Sequence, residues 1–348
     1  MRILGLETSF DETAAAIVAD GKTVLANVTA TSTLMHRKYG GVVPEVAARK
    51  QVESMIPVLT EVLQGMTSND VDAIAVTVGP GLIGSLLIGV ETAKTLALAW
   101  NKPIIPVNHV LAHMYANFIN DNQSSSWGPE GSIGSSKKDS IASLQNDVKF
   151  PAISLVVSGG HTELYLMTDA KTLKWLGGTV DDAAGEAFDK SARLLGFENR
   201  GGAAIEQAAH HYSSSEVKRS REASIEIKDS SRLRSNKIVL PRPMLHDNSL
   251  NFSFSGLKTA LLREVSQLKQ SEQFNNQIIQ QLSHEVQEAI TDVLVTKTLS
   301  AVQRYSAQSI LISGGVAANK RLREKFNLPL TTYHCSHRSA NSVLTTQS

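Results

Sequence analysis

The chain of 348 residues has a single cysteine, Cys335. No disulfide framework can be built from it, which suits a reducing, cytoplasmic setting. Neither sign of charge is in excess: 34 Lys and Arg face 33 Asp and Glu, a formal net charge of +1. A uniformly basic nucleic-acid binder is therefore excluded, although a local basic patch is not. No uninterrupted apolar run approaches ~20 residues, so no membrane span is expected. The opening MRILGLETSF lacks the charged-then-apolar layout of a secretory signal. Short-period repeats are absent as well.

What is present is a strand and helix alternation. The length allows two domains of ordinary size or one large one, and with 42% hydrophobic residues a sizeable core can be buried. Arg2–Leu6, Ala14–Ala19 and Thr23–Thr29 read as a β-meander with a hairpin turn at Asp20-Gly21. Pro44 suits the first turn of a helix whose apolar positions run to Leu63, with Gly65 ending it. Asp72–Val78 and Ile104–Val107 read as strands around an apolar helix ending near Trp100. Phe150–Val157 and Ser309–Ser313 are further strands, and Gln277–Tyr305 is a long amphipathic helix. Two polar stretches, at about residues 120–149 and 213–237, read as insertions or loops. The fold class expected is α/β.

Three strands end in loops of small residues: GLETSFDET at 5–13, VVSGGHTEL at 156–164 and ISGGVAAN at 312–319. Such loops present backbone N–H groups that can approach a phosphate closely. Three together suggest a nucleotide cradled between two lobes, the layout of actin, sugar kinases and chaperone ATPases. His109 and His113 lie four apart in a helical stretch, so both rings face one way and could meet one metal ion. Two imidazoles do not complete a site; a carboxylate is needed. Asp11 and Glu12 in the first loop are candidate catalytic carboxylates.

The ordered motifs GLETSFDETAAAI (5–17), HRKYGGVVPEVAAR (36–49), GPGLIGSLLIG (79–89), HVLAH (109–113), LVVSGGHTEL (155–164), DDAAGEAFDKSARLLG (181–196), LPRPM (240–244), FSFSGLKT (252–259) and ISGGVAANKRLR (312–323) cover nearly the whole chain. In these the chain resembles the tRNA N6-adenosine threonylcarbamoyltransferases. The resemblance implies an actin-like, sugar-kinase-like two-lobed fold, with residues 1–108 in one lobe and 109–325 in the other. It implies transfer of a threonylcarbamoyl group from threonylcarbamoyl-AMP to N6 of adenosine 37 in tRNAs reading ANN codons, with release of AMP. It implies one divalent metal, Fe(2+) or Zn(2+), on His109 and His113. Donor contacts are implied at Val156, Val157, Ser158, Gly159, Gly160, Asp189, Gly202, Glu206 and Asn319. Asn319 could equally cap the helix that follows it. A related actin-like partner subunit and a small ATPase subunit are implied as partners.

The chain departs from the family at Asn199 to Ala203, where prolines usually flank the two glycines, and at Asn251, which replaces Asp. The larger departure follows Phe326. The family continues to a Cys-Thr-Asp-Asn-Ala segment whose Asp is the third metal ligand, then a closing helix. Here the tail reads TTYHCSHRSANSVLTTQS, without apolar periodicity. Degenerate codons for Asn341–Ser348, read from the third base of the Asn341 codon, permit Phe-Cys-Thr-Asp-Asn-Ala. A frameshift between about residues 327 and 340 is therefore expected, and an impaired homologue is the corresponding alternative. An actin-like ATPase or small-molecule kinase is a rival reading. A metalloprotease is a weaker one, because Val110, not Glu, follows His109.

Overall fold

A computed structural model describes residues 1–32, 43–119, 148–197, 201–225, 238–333 and 343–346. It divides into two compact units, Met1–Asn146 and Asp147–Ser348. The stretch at 120–147, most of the first expected insertion, lies outside the described residues, as do 36–42 of the HRKYGG motif, Asn199, Arg200 and Cys335.

Unit 1 is built on one five-stranded sheet. Its strands are β1 (Arg2–Glu7), β2 (Glu12–Ala19), β3 (Thr23–Thr31), β4 (Ala73–Gly79) and β5 (Ile104–Asn108), in the order β3-β2-β1-β4-β5. The meander is antiparallel, while β1, β4 and β5 run parallel. Asp20 and Gly21 both take positive φ, 50° and 70°, as a tight hairpin turn requires. Period-2 alternation sends Leu4, Leu6, Ala15 and Ile17 to one buried face. Helix α1 (Pro44–Val62) covers that face with Met55, Val58, Leu59 and Val62. Pro44 opens it, since proline needs no amide partner in the first turn. Helix α2 (Ile83–Trp100) is apolar and long enough, by length and composition alone, to cross a membrane. One face of it packs on β4 and α1, while Ile83, Leu87 and Leu98 stay exposed. The short α3 (His109–Tyr115) follows β5 directly.

Unit 2 repeats the plan. Its strands β6 (Ala152–Val157), β7 (Thr162–Met167), β8 (Leu173–Gly178), β9 (Ser309–Ser313) and β10 (Val343–Thr346) lie in the order β10-β9-β6-β7-β8. Counted from β8, this is again third, second, first, fourth, fifth. The pairing pattern matches too: β6 is antiparallel to β7 and parallel to β9. Helices α4 (Ala184–Leu194), α5 (Gly201–Ile225), α6 (Ser255–Gln270), α7 (Asn276–Arg304) and α8 (Lys320–Tyr333) complete it. The core gathers Phe188, Phe252 and Phe254 with α7, which is buried along most of its length.

Two expectations need correction. The stretch from 213 to 225 is not a loop but the second half of α5. Ser213 and Ser214 donate their hydroxyls back to the Ala209 and His210 carbonyls, at 3.1 and 2.9 Å, so polar residues stay within the helix. At the tail, α8 runs to Tyr333, and Val343–Thr346 adds β10 in parallel beside β9. The division between units falls at 146/147, not 108/109. Helix α3 packs on β5 and β4, so both histidines belong to unit 1.

Candidate functional site

In unit 1 a polar network forms where β1 and β4 end and α3 begins. Asn108 caps α3, its Oδ1 accepting from the amides of Val110 (2.9 Å) and Leu111 (3.2 Å). The cap fixes where the helix begins, and so brings His109 and His113 onto one face. Their ring centroids lie 4.5 Å apart, nearly edge-on at 75°. Nδ1 of His109 sits 3.3 Å from Oε2 of Glu7 and 3.2 Å from the Ser9 hydroxyl. Thr77 donates its hydroxyl to the same Glu7 oxygen at 2.5 Å, and the Ser9 amide donates to the other at 2.5 Å. Burial by itself would raise the Glu7 carboxyl. The hydrogen bonds from His109, Ser9 and Thr77 outweigh it and hold the pKa at about 2. Glu7 is thus an anion across the physiological range.

The first loop is locked from both sides. Gln51 of α1 is buried, and its Nε2 donates to the carbonyls of Thr8, Phe10 and Glu12. Thr8 donates to the Ser85 carbonyl at 2.8 Å. Two glycines of GPGLIGSLLIG are needed for this contact: a Cβ on Gly81 would stand 2.5 Å from the Ser9 carbonyl, and one on Gly89 the same distance from the Thr8 hydroxyl. Asp11 and Glu12 lie at the end of this clamped loop, where β2 begins.

Unit 2 holds a pocket lined by Gly159, Gly185, Phe188, Asp189, Gly202, Glu206, Gly315 and Asn319, among others. Two of the three small-residue loops meet here, because β6 and β9 are neighbours in the sheet. Gly314 takes φ +93°, and a Cβ there would be 2.4 Å from the Val157 carbonyl. Gly185 would clash likewise with the Ser158 carbonyl, which accepts its amide at 3.1 Å. Asp189 faces the pocket. Desolvation against the wall raises its carboxyl above the ordinary value, partly offset by Arg193 and by the amides of Gly201 and Gly202. Gly201 must be glycine: its Cβ would fall 2.4 Å from Asp189 Oδ1. Gly202, by contrast, faces open space.

The expected donor contacts separate into two groups. Gly159, Asp189, Gly202, Glu206 and Asn319 are brought together around the pocket. Val156 and Val157 are fully buried in β6 and pair with β7. Ser158 donates its amide to the His161 carbonyl at 2.8 Å, and Gly160 does not line the pocket. Lys190, a conceivable partner for Asp189, pairs with Asp182 and Glu186 instead. Asn319 caps α8, its Oδ1 accepting from Leu322 at 3.0 Å, while its Nδ2 donates to Gln287 at 3.1 Å. Glu206 accepts from the Lys320 amide at 3.1 Å, tying α5 to the start of α8. Sequence reasoning did not single out Gln51, Thr77, Gln287 or Phe188. Their partners are 32 to 70 positions away or more, and no local pattern marks them.

The histidine pair fits a divalent metal in part. Two imidazoles at one helical spacing, one anchored by a carboxylate, are a donor set of the kind that borderline cations take. No group of three His, Cys, Asp or Glu that could hold a metal occurs among the described residues.

Two sheets of one repeated strand order, with glycine turns at a pocket in the second, define an actin-like, sugar-kinase-like α/β protein. The family model of TsaD, tRNA N6-adenosine threonylcarbamoyltransferase, matches residues 23–129 and 139–339. The chain belongs to that family. It is 44% identical to the tRNA N6-adenosine threonylcarbamoyltransferase of Moorella thermoacetica, covering 93% of this chain and 81% of that one. It is 42% identical to the Bacillus subtilis enzyme of the same name, covering 93% and 80%. The 2-hydroxyglutaryl-CoA dehydratase component A of Acidaminococcus fermentans aligns with 99% of this chain and 92% of its own, at 12% identity and a TM-score of 0.47.

Proposed function

We propose that this chain transfers the threonylcarbamoyl group of threonylcarbamoyl-AMP to N6 of adenosine 37 in tRNAs that read ANN codons. In this reaction N6 attacks the carbamoyl carbonyl carbon, the bond to the AMP phosphate oxygen breaks, and N6 loses a proton. The observation that carries the reading is the unit 2 pocket, where Asp189 stands over paired glycine amides beside the Gly159 and Gly315 turns. Asp189 accepts a ribose hydroxyl, with Glu206 one helical turn beyond Gly202. The backbone of Gly159, the residue of that turn that lines the pocket, holds the phosphate or carbonyl, and bare Gly202 lets the adenosine lie on the backbone. Asn319 walls the pocket, since its side chain already serves Leu322 and Gln287.

In unit 1, His109 and His113 hold one divalent metal, Fe(2+) or Zn(2+). When bound, it would supply Lewis-acid chemistry there. Asp11 and Glu12 orient the incoming amine, on a loop that Gln51 keeps in place. Positioning does most of the work, because an exocyclic adenine amine is a poor nucleophile. The setting is cytoplasmic. The partners are tRNA, a small ATPase subunit and a related actin-like subunit. A docking face for the last is supported by Val52 and Ile56 on α1 and Ile83 and Leu87 on α2, all exposed on helices that pack together.

The reading frame shifts somewhere between about residues 327 and 340, and an Asp encoded in the correct frame would be the third metal ligand. Reading the gene's nucleotides tests this directly. The activity test is transfer of labelled threonine and bicarbonate onto unmodified tRNA, with the partner proteins supplied. Label in the tRNA from this chain supports the function. Label from a frame-corrected chain alone locates the defect in the tail. Absence of label from both overturns the assignment.

A further inference from the structure

We propose that Glu7 is a positioning residue for the metal-binding histidine: it keeps the proton of His109 on Nδ1, so that Nε2 carries the lone pair. The proposal rests on the metal reading given above. Its geometric basis is the end of β1, where Glu7 leaves the sheet and meets α3.

Each oxygen of Glu7 has an assigned task. Oε1 accepts the Ser9 amide at 2.5 Å, and Oε2 accepts the Thr77 hydroxyl and faces His109 Nδ1 at 3.3 Å. A carboxylate accepts only, so whatever faces it must donate. Nδ1 therefore carries hydrogen, and the neutral ring is left with an unprotonated Nε2, the form a cation takes. Ser9 does not reverse this, because a hydroxyl can accept as well as donate. The carboxylate is itself fixed in rotation by Thr77 from β4 and by the backbone of its own loop. A carboxylate on the far nitrogen of a ligating histidine sets its tautomer and orientation, and its loss commonly lowers metal affinity about 10–100-fold.

Glu7→Gln gives a sharp test. Ser9 N–H demands an oxygen at the Oε1 position, so the new NH2 must take the place of Oε2. There it donates to Nδ1, which forces the proton onto Nε2. The measurement uses chain labelled with nitrogen-15 histidine and free of metal, with His109 assigned from a His109→Gln spectrum. Long-range proton–nitrogen correlations then read the tautomer, and chelator competition reads Zn(2+) affinity. The expected result is an Nδ1–H ring in the parent, an Nε2–H ring in Glu7→Gln, and Zn(2+) affinity reduced about 10–100-fold. Thr77→Val, which keeps the carboxylate but frees its rotation, should weaken Zn(2+) binding several-fold and serves if Glu7→Gln does not fold. An unchanged tautomer, or Zn(2+) affinity within about twofold of the parent in a folded variant, overturns the proposal. A tautomer switch in a frame-corrected chain whose parent binds no Zn(2+) would instead remove the metal reading and leave Glu7 setting the ring.

Discussion

The two units share one strand order and build their sites in opposite ways. Unit 1 works by side chains: Glu7, Ser9, Thr77, Gln51 and the histidines hold one another through hydrogen bonds. Unit 2 works largely by their absence: Gly185, Gly201 and Gly314 sit where any Cβ would strike backbone or the Asp189 carboxylate. One construction orients donor atoms around a point. The other brings backbone amides close to a flat or anionic group. A duplicated architecture can therefore carry two kinds of recognition, since the sheet fixes only where loops emerge, not what they carry.

The strongest break of this contrast is the double change His109→Ala with His113→Ala. Transfer should fall to background and bound metal should vanish, while the melting temperature stays within a few degrees, because neither ring belongs to the buried core. Retained metal with full turnover would sink the role. Next comes a glycine pair in unit 2. Gly201→Ala should destabilise by about 1–3 kcal/mol through overpacking and abolish AMP binding by calorimetry. Gly202→Ala, with open space before it, should leave stability unchanged and weaken AMP binding only. Equal effects at both positions would refute the distinction between wall and floor.

Gln51→Leu is the matching test in unit 1. It strips one donor from three loop carbonyls, and about 1–3 kcal/mol of stability should be lost in denaturant unfolding. The smallest effect is acid-dependent. Burial would raise the Glu288 carboxyl, but Arg321 and Lys325 outweigh it and hold its pKa at about 2. The ion pairs of Glu288 therefore stabilise unit 2 fully above about pH 4.5, the ordinary value. That contribution drains away as pH falls towards 2. Glu288→Gln should flatten the acid limb of the melting curve; an unchanged limb would show that this pair contributes nothing there.

Much of the fold was legible in the residues. Asp20-Gly21 announced its hairpin because few other pairs accept two positive φ angles. Pro44 and the apolar spacing behind it announced α1. The polar stretch after Ser213 was misread, because serines that bond back within a helix look the same in sequence as serines of a loop. Val156 and Val157 adjoin the glycine turn in sequence, and both lie inside β6, a strand buried at all six of its positions.

By itself the sequence determined the strands, the glycine turns and the spacing that puts two imidazoles on one helical face. Each depends on neighbours within a few positions, where backbone sterics and periodicity act. Tertiary structure alone decided that Glu7 would meet His109, that Gln51 would clamp the first loop, and that Asp189 would rest on Gly201. Those groups are distant along the chain, and only the pairing of β1 with β4 and the packing of helices on the sheets bring them within hydrogen-bonding reach.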